Sequence, residues 1–113
     1  MKSDNGIEIK SKEFAIRVVK LTRYLQDVKR EFVLAQQFLR SGTSIGANVK
    51  EAFRSQSEAD FTSIMKIALK EASETEYWLE ILFETNYLSE SEFNSIYAAL
   101  KEIIKILTSM VLA

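Results

Sequence analysis

The chain has 113 residues, with no cysteine, no histidine and no proline, and a net charge of -1. This length predicts one domain. The missing residue types exclude disulfides, thiolate nucleophiles, a histidine general base and zinc sites of the usual ligand types. Because only three glycines are present, few tight turns can form, which favours a helical protein with short polar loops.

The N-terminal segment indicates where the protein acts. Residues 1–12 are polar and contain no apolar run, so we find no signal peptide. The apolar stretches of the chain are also much shorter than the ~20 residues of a membrane span. We therefore expect a soluble, cytoplasmic protein.

The charges are divided unevenly along the chain. Residues 1–54 carry 11 Lys and Arg against 6 Asp and Glu, a net charge of +5, whereas residues 55–113 carry 4 against 10, a net charge of -6. A basic half can mark a nucleic-acid surface. The alternative is attraction between helix pairs, within one chain or between chains. We favour this alternative because the basic residues are scattered.

Residues 1–10 predict a flexible N-terminal arm, and residues 11–113 predict a four-helix bundle domain. We expect Ser11 to be the N-cap of the first helix. The apolar residues that follow have the alternating spacing of four and three that marks a buried stripe: Phe14, Val18, Leu21, Leu25 and Val28. The first helix ends near Lys29 and Arg30, where no Gly or Pro marks the boundary.

The second helix contains the most unusual stretch of the chain. Its predicted buried stripe is Phe32, Ala35, Leu39, Gly42, Gly46, Val49 and Phe53. Each glycine inside a helix costs about 1 kcal/mol relative to alanine. We expect Gly42 and Gly46 to offset this cost by letting a neighbouring helix approach closely, as at other small-residue interfaces. The alternative is a kink or a break in the helix.

Serine residues predict the starts of the last two helices. Ser57, followed by Asp60, opens the third helix, and Ser89 with Glu92 forms a capping box that opens the fourth. Asn86 terminates the third helix. The two buried stripes are Phe61, Met65, Ala68, Ala72, Thr75, Leu79 and Leu82, then Phe93, Ile96, Leu100, Ile103, Leu107 and Met110.

The loops between these long helices are short, which predicts an all-α, antiparallel up-down-up-down four-helix bundle. The third helix also carries a second apolar row, formed by Ile64, Ile67, Trp78 and Ile81. Two apolar faces on one helix indicate either a central place in the bundle or a subunit contact. Tyr77 and Trp78 could instead stack a nucleic-acid base, but the helical spacing favours Trp78 in the core or in a subunit interface.

The second helix carries a candidate polar site. Arg40, Ser44, Asn48 and Glu51 follow one another at steps of four, four and three, so they share one helix face. The third-helix side chains that could face them are Lys70, Glu71, Glu74 and Glu76. The group could form a ligand or nucleic-acid pocket in which Arg40 binds an anion. It could also form a polar network that fixes helix register or subunit pairing.

We favour the structural interpretation of this group, because no nucleophile, cofactor motif or phosphate-binding loop lies nearby. Bundle proteins with two metal ions combine carboxylates with histidine, and histidine is absent here. The sequence therefore predicts no catalytic, cofactor or metal site. A small enzyme that uses Arg40 and Glu51 is the least favoured hypothesis.

Four segments carry a resemblance to a known family. They are Arg40-Ser-Gly-Thr-Ser-Ile-Gly-Ala-Asn-Val-Lys-Glu-Ala52, Gln56-Ser-Glu-Ala-Asp-Phe61, Ile67-Ala-Leu-Lys-Glu-Ala72 and Glu76-Tyr-Trp-Leu79. In these segments the chain resembles the bacterial "four helix bundle protein" family, first described as reading frames inside intervening sequences of 23S ribosomal RNA genes. The resemblance covers about residues 12–111. The family's frequent Glu-Gly pair is Glu51-Ala52 here.

The resemblance implies a left-handed antiparallel bundle that assembles into a homopentameric ring, with no established enzymatic activity. It also implies kinship with the accessory variability determinant of diversity-generating retroelements, a reverse-transcriptase-associated protein thought to bind nucleic acid. The motif and interface positions are Arg40, Ser41, Gly42, Ser44, Ile45, Gly46, Asn48, Glu51 and Trp78.

Two functions follow as hypotheses. The first is a non-enzymatic homo-oligomeric bundle that acts as a scaffold or interaction module. The second is an accessory protein that binds RNA or DNA, whose phosphate contacts would be salt-dependent. Its candidate contacts are Lys12, Arg17, Lys20, Arg23 and Arg30.

Overall fold

Four α-helices make up residues 6–112, the part of the chain that the computed structural model describes. They are α1 (Ile7–Asp27), α2 (Val33–Ala52), α3 (Glu58–Glu84) and α4 (Glu90–Leu112). Each helix packs against the next, and α4 packs back against α1. Because short connections reverse the chain direction between packed neighbours, this is the predicted up-down-up-down four-helix bundle. Its left-handed sense stays a prediction.

The first helix begins earlier than the sequence indicated. Gly6 precedes it with φ 78°, in the left-handed region, and Ile7, the first helical residue, is fully buried. The predicted N-cap, Ser11, instead lies buried inside α1, where its hydroxyl donates to the carbonyl oxygen of Glu8 at 3.3 Å. The prediction of a flexible arm is therefore wrong for residues 7–10. Residues 1–5 of that arm lie outside the described part.

The reversal between α1 and α2 occurs at Arg30, whose φ is 57°. The prediction that Val28 and Phe32 are buried is wrong, since they are 62% and 47% exposed. Both lie beyond the end of α1 at Asp27, in the connection, where helical periodicity no longer applies. The Glu31 carboxylate accepts the backbone N–H groups of the first turn of α2 at 2.8 and 3.3 Å, which stabilises the start of that helix.

The predicted starts of α3 and α4 are confirmed. The backbone N–H of Asp60 donates to the Ser57 hydroxyl oxygen at 3.1 Å. Ser89 and Glu92 exchange two hydrogen bonds: the Glu92 N–H donates to the Ser89 hydroxyl at 3.1 Å, and the Ser89 N–H donates to the Glu92 carboxylate at 2.8 Å. Asn86 adopts φ 70° after α3, as a helix terminator does.

The hydrophobic core follows the predicted stripes closely on α3, where all seven predicted residues are buried. On α2 the buried set differs: Ala35, Phe38, Ser41, Gly42, Ile45, Val49 and Ala52. This helix is rotated relative to the prediction, since Leu39 and Gly46 are only half-buried. Bulky Phe38 and Ile45 fill the interior, and the glycines lie toward α1, where little room is left.

Candidate functional site

The two helical glycines lie at the contact between α1 and α2. A Cβ added at Gly42 would lie 2.8 Å from both γ carbons of Val18, and one added at Gly46 would lie 3.2 Å from the backbone carbonyl oxygen of Ser11. A methyl group at Gly42 would overlap Val18, and one at Gly46 would require Ser11 to move by a few tenths of an ångström, so both contacts are as close as the close-packing prediction requires. Because α2 is one uninterrupted helix through this stretch, the alternative of a break is wrong.

The same stretch of α2 is also held to α3. Ser41 and Thr75 are both fully buried, and the Thr75 hydroxyl donates to the Ser41 hydroxyl oxygen at 3.0 Å. Ile45, one turn later on α2, is fully buried in the core. A buried polar pair with satisfied hydrogen bonds fixes the register of two helices. The motif thus contacts α1 through glycines and α3 through hydroxyl groups.

Arg40 lies at the surface, above this buried pair, and contacts two carboxylates of α3. One guanidinium nitrogen donates to Glu71 at 3.3 Å, and the other donates to Glu74. The indole N–H of Trp78 also donates to Glu74, at 3.0 Å. Two charge-assisted bonds and one indole bond therefore hold Arg40 and Trp78 in fixed positions at the α2–α3 surface.

The hydrogen bond between Arg40 and Glu74 shifts the pKa of both groups. The hydrogen bond from Arg40 lowers the pKa of Glu74 most strongly, and the bond from Trp78 lowers it further. The hydrogen bond with Glu74 likewise raises the pKa of Arg40, although burial opposes the change. The network is charged at neutral pH, and its donors and acceptors bond to one another, which is the arrangement of a structural ion pair.

The other three members of the predicted polar group do not join this network. The Ser44 hydroxyl donates to the Arg40 carbonyl oxygen at 2.6 Å, and the Asn48 amide donates to the Ser44 carbonyl oxygen at 2.8 Å. Both bonds stay within α2. Glu51 is exposed at the end of α2 and lines an open depression with Arg54. The four residues share a helix face but do not converge on one site.

An open groove runs along the outer side of the α1–α2 contact. Its volume is about 500 Å³, and it is lined by Glu8, Ile9, Lys12, Ala15, Thr43, Gly46, Ala47 and Lys50. Four of these residues are small, because the helices approach closely at Gly46. Lys12 and Lys50 come from opposite helices, and together with Glu8 they give the groove two positive charges and one negative charge beside its small residues. We call it the α1–α2 groove.

Comparison with known proteins identifies the family. The model of the 23S rRNA-intervening sequence protein family matches residues 3–109. The chain belongs to this family. The family match agrees with the resemblance found in the motif segments of α2 and α3.

The chain is also similar to a protein of known crystal structure. A crystal structure of a protein of unknown function from the S23 ribosomal protein family of Bacteroides thetaiotaomicron superposes with a TM-score of 0.93. The two chains are 50% identical over 95% of this chain and 99% of that chain. No curated protein matches the chain.

The basic residues proposed for nucleic-acid contact in this family member do not form one cluster. Lys12, Lys20 and Arg23 are exposed on the outer side of α1. Arg17 lies on the α4 side, where its guanidinium donates to the Ser95 hydroxyl at 2.9 Å. Arg30 lies in the α1–α2 connection, with its guanidinium carbon 5.1 Å from the centre of the Phe32 ring.

The aromatic pair on α3 is placed partly in the core and partly at the surface. Trp78 is half-buried and packs against the core, and Tyr77 is 54% exposed. Their rings meet edge to face, with centroids 5.1 Å apart. Tyr77 is therefore an exposed aromatic side chain whose position is supported by an ordered neighbour.

Neither a cluster of metal-ligating side chains nor a helix able to span a membrane occurs within the described residues. Among residues 6–112, no group of three or more Asp and Glu side chains is close enough to hold a metal ion. None of the helices in that range combines the length and hydropathy that a bilayer span requires.

The sequence prediction missed two features of the surface. The first is the α1–α2 groove, because Ile9 and Ala47 were not predicted to line a site. Ile9 fell in the predicted arm, although its spacing of seven residues from Ile16 indicated that both lie on one helix face. The second feature joins α3 to α4. The Tyr97 hydroxyl donates to Glu76 at 2.7 Å, and this bond is the main reason that the pKa of Tyr97 is raised to about 12.

Proposed function

We propose that this protein is a non-enzymatic, self-associating helical bundle that acts in the cytoplasm as a scaffold or interaction module. The observation that carries the proposal is the apolar surface on the outer faces of the helices. Ile9 and Ile16 are 61% and 47% exposed, and they lie two turns apart on one face of α1. On α3, Ile67 and Tyr77 are 46% and 54% exposed.

The Arg40 network supports the same proposal. Trp, Tyr and Arg are the residue types that most often dominate the binding energy of protein interfaces, and Arg40, Tyr77 and Trp78 lie together at the α2–α3 surface. Arg40 and Trp78 are already held by Glu74. Side chains that are ordered before binding lose less conformational entropy when a partner arrives.

The non-enzymatic part of the proposal rests on residue chemistry. The chain contains no cysteine and no histidine, so the commonest nucleophile–base pairs cannot be built. Glu74 of α3, which lies beside the motif, is engaged by Arg40. The hydrogen bond from Arg40 lowers the pKa of Glu74, so this carboxylate is stabilised in its charged form and is a poor proton donor.

Light scattering coupled to size-exclusion chromatography tests the proposal. We expect a mass that is a multiple of the 13.0 kDa chain mass, and five copies if the ring implied by the family resemblance forms. A mass of one chain at micromolar concentrations would overturn the proposal.

The second candidate function is nucleic-acid binding as an accessory protein. The favouring observation is that Lys12, Lys20 and Arg23 are exposed on one side of α1. Fluorescence anisotropy with single-stranded RNA should then show affinity that falls steeply with salt, by about 0.7 log units per contact for each tenfold rise. Replacing the three residues by alanine should flatten this slope, whereas Lys105→Ala on α4 should not. No binding at low salt would overturn this candidate.

A further inference from the structure

We propose that the α1–α2 groove binds an acidic ridge on α3 of a second copy, so that the copies associate head to tail. The inference rests on the self-association proposed above and adds the two surfaces that meet. The ridge is formed by Tyr77, Glu80 and Glu84, and we call it the α3 ridge.

The groove has the chemistry of a receptor for an aromatic side chain with acidic neighbours. Its floor consists of small residues, among them Ala15, Gly46 and Ala47. Lys12 of α1 and Lys50 of α2 also line it, and Glu8 is the one acidic residue of the lining, so positive charge is in excess. Small apolar residues leave room for a ring, and the two ammonium groups can pair with carboxylates beside that ring.

The α3 ridge supplies those groups. Tyr77 is 54% exposed, and Glu84 lies seven residues later on the same helix face, with Glu80 between them. Glu71, Glu74 and Glu76 of the same helix are paired with Arg40 and Lys101, whereas no ion pair within the described residues engages Glu80 or Glu84. The carboxylates of Glu80 and Glu84 and the exposed ring of Tyr77 therefore complement the lysines and the small residues of the groove, and this match of charge favours a second copy as the partner.

The ridge of one copy cannot reach the groove of the same copy. The groove opens on the α1–α2 side of the bundle, whereas the ridge lies on α3, which does not pack against α1. The contact must therefore join different surfaces of two copies. Such heterologous contacts close into rings when each step turns the next copy and extend into filaments when it does not. The two surfaces lie in opposite halves of the bundle, because α2 and α3 are antiparallel and the groove residues of α2 and the ridge residues of α3 extend in opposite directions from the contact between Ser41 and Thr75.

Charge reversal tests the pairing. We expect Lys12→Glu/Lys50→Glu and Glu80→Lys/Glu84→Lys each to shift the scattering mass toward one chain, with an association constant at least about tenfold weaker. Mixed in equal amounts, they should associate again, because each variant then offers a surface that matches the other. The matched control, Lys105→Glu on α4, should keep the wild-type mass. Unchanged masses for both reversed variants, or no recovery on mixing, would overturn the pairing.

A disulfide cross-link tests the pairing independently if circular dichroism shows that a charge-reversed variant does not fold. The chain has no cysteine, so a mixture of Lys12→Cys and Glu84→Cys proteins should form a covalent heterodimer on oxidation, and a mixture of Lys105→Cys and Glu84→Cys should not. Equal yields in the two mixtures would overturn the pairing. Wild-type protein that is oligomeric but insensitive to these changes refutes only the pairing, whereas monomeric wild-type protein refutes the proposed function as well.

Discussion

Replacing Gly42 by alanine separates the effect of close helix packing from that of helix propensity. Propensity alone predicts stabilisation by about 1 kcal/mol. The structure predicts the opposite sign, because the new methyl group would lie 2.8 Å from both γ carbons of Val18, which is fully buried. Valine is stiff at χ1, and overpacking of a core costs about 1–3 kcal/mol. We therefore expect a net destabilisation of about 1–2 kcal/mol.

Urea unfolding followed by circular dichroism measures this free energy. Ala98→Gly, at an exposed position of α4, calibrates propensity and should cost about 1 kcal/mol. The double variant Val18→Ala/Gly42→Ala should show a favourable coupling of about 1 kcal/mol or more, because the clash is gone. If Gly42→Ala alone stabilised the protein by the calibrated propensity value, the close contact between α1 and α2 would be refuted.

The remaining predictions concern polar contacts. Glu74→Gln should lower the unfolding free energy at pH 7 by about 0.5–1 kcal/mol, since the ion pair with Arg40 is well exposed. Because the hydrogen bond from Arg40 lowers the pKa of Glu74 in the folded protein, this difference should shrink in urea titrations as the pH falls below the ordinary glutamate pKa of about 4.3. A difference that stays constant with pH would contradict this assignment. Tyr97→Phe should lower the unfolding free energy by about 1 kcal/mol at neutral pH. Because the pKa of Tyr97 is raised to about 12 from 10.0 in the folded protein, the wild type should lose this advantage as the pH rises above 10. A tyrosinate absorbance titration in which no tyrosine ionises at such a raised pKa would refute the hydrogen bond between Tyr97 and Glu76. Ser89→Ala should lower the unfolding free energy by about 1 kcal/mol through loss of the cap, and thermal unfolding indistinguishable from Ser91→Ala would contradict it.

Much of the fold could be predicted because three kinds of signal agreed. The apolar repeat of α3 identified its buried residues, and the serine caps at Ser57 and Ser89 identified two helix starts. The cost of glycine inside a helix correctly indicated a close approach of another helix at Gly42 and Gly46. Each of these signals is local, since it depends on residues within one helix.

The predictions that were wrong concern features that depend on how the helices pack against one another. Ser11 is polar and small, so it resembled a cap, but it occupies a buried position where α2 approaches. The rotation of α2 about its axis depends on how closely α1 packs against it. The spacing of apolar residues within α2 contains no information about that distance. The sequence predicted that the partners of Arg40 lie on α3, but it could not identify which residues they are. Glu76, one of the predicted candidates, contacts α4 instead.

Sedimentation equilibrium of the wild-type protein over a range of concentrations tests the central claim most directly. The account predicts a discrete species of several 13.0 kDa chains, since the groove and the exposed isoleucines of α1 would be covered by another copy. A single species with the mass of one chain throughout that range would contradict it.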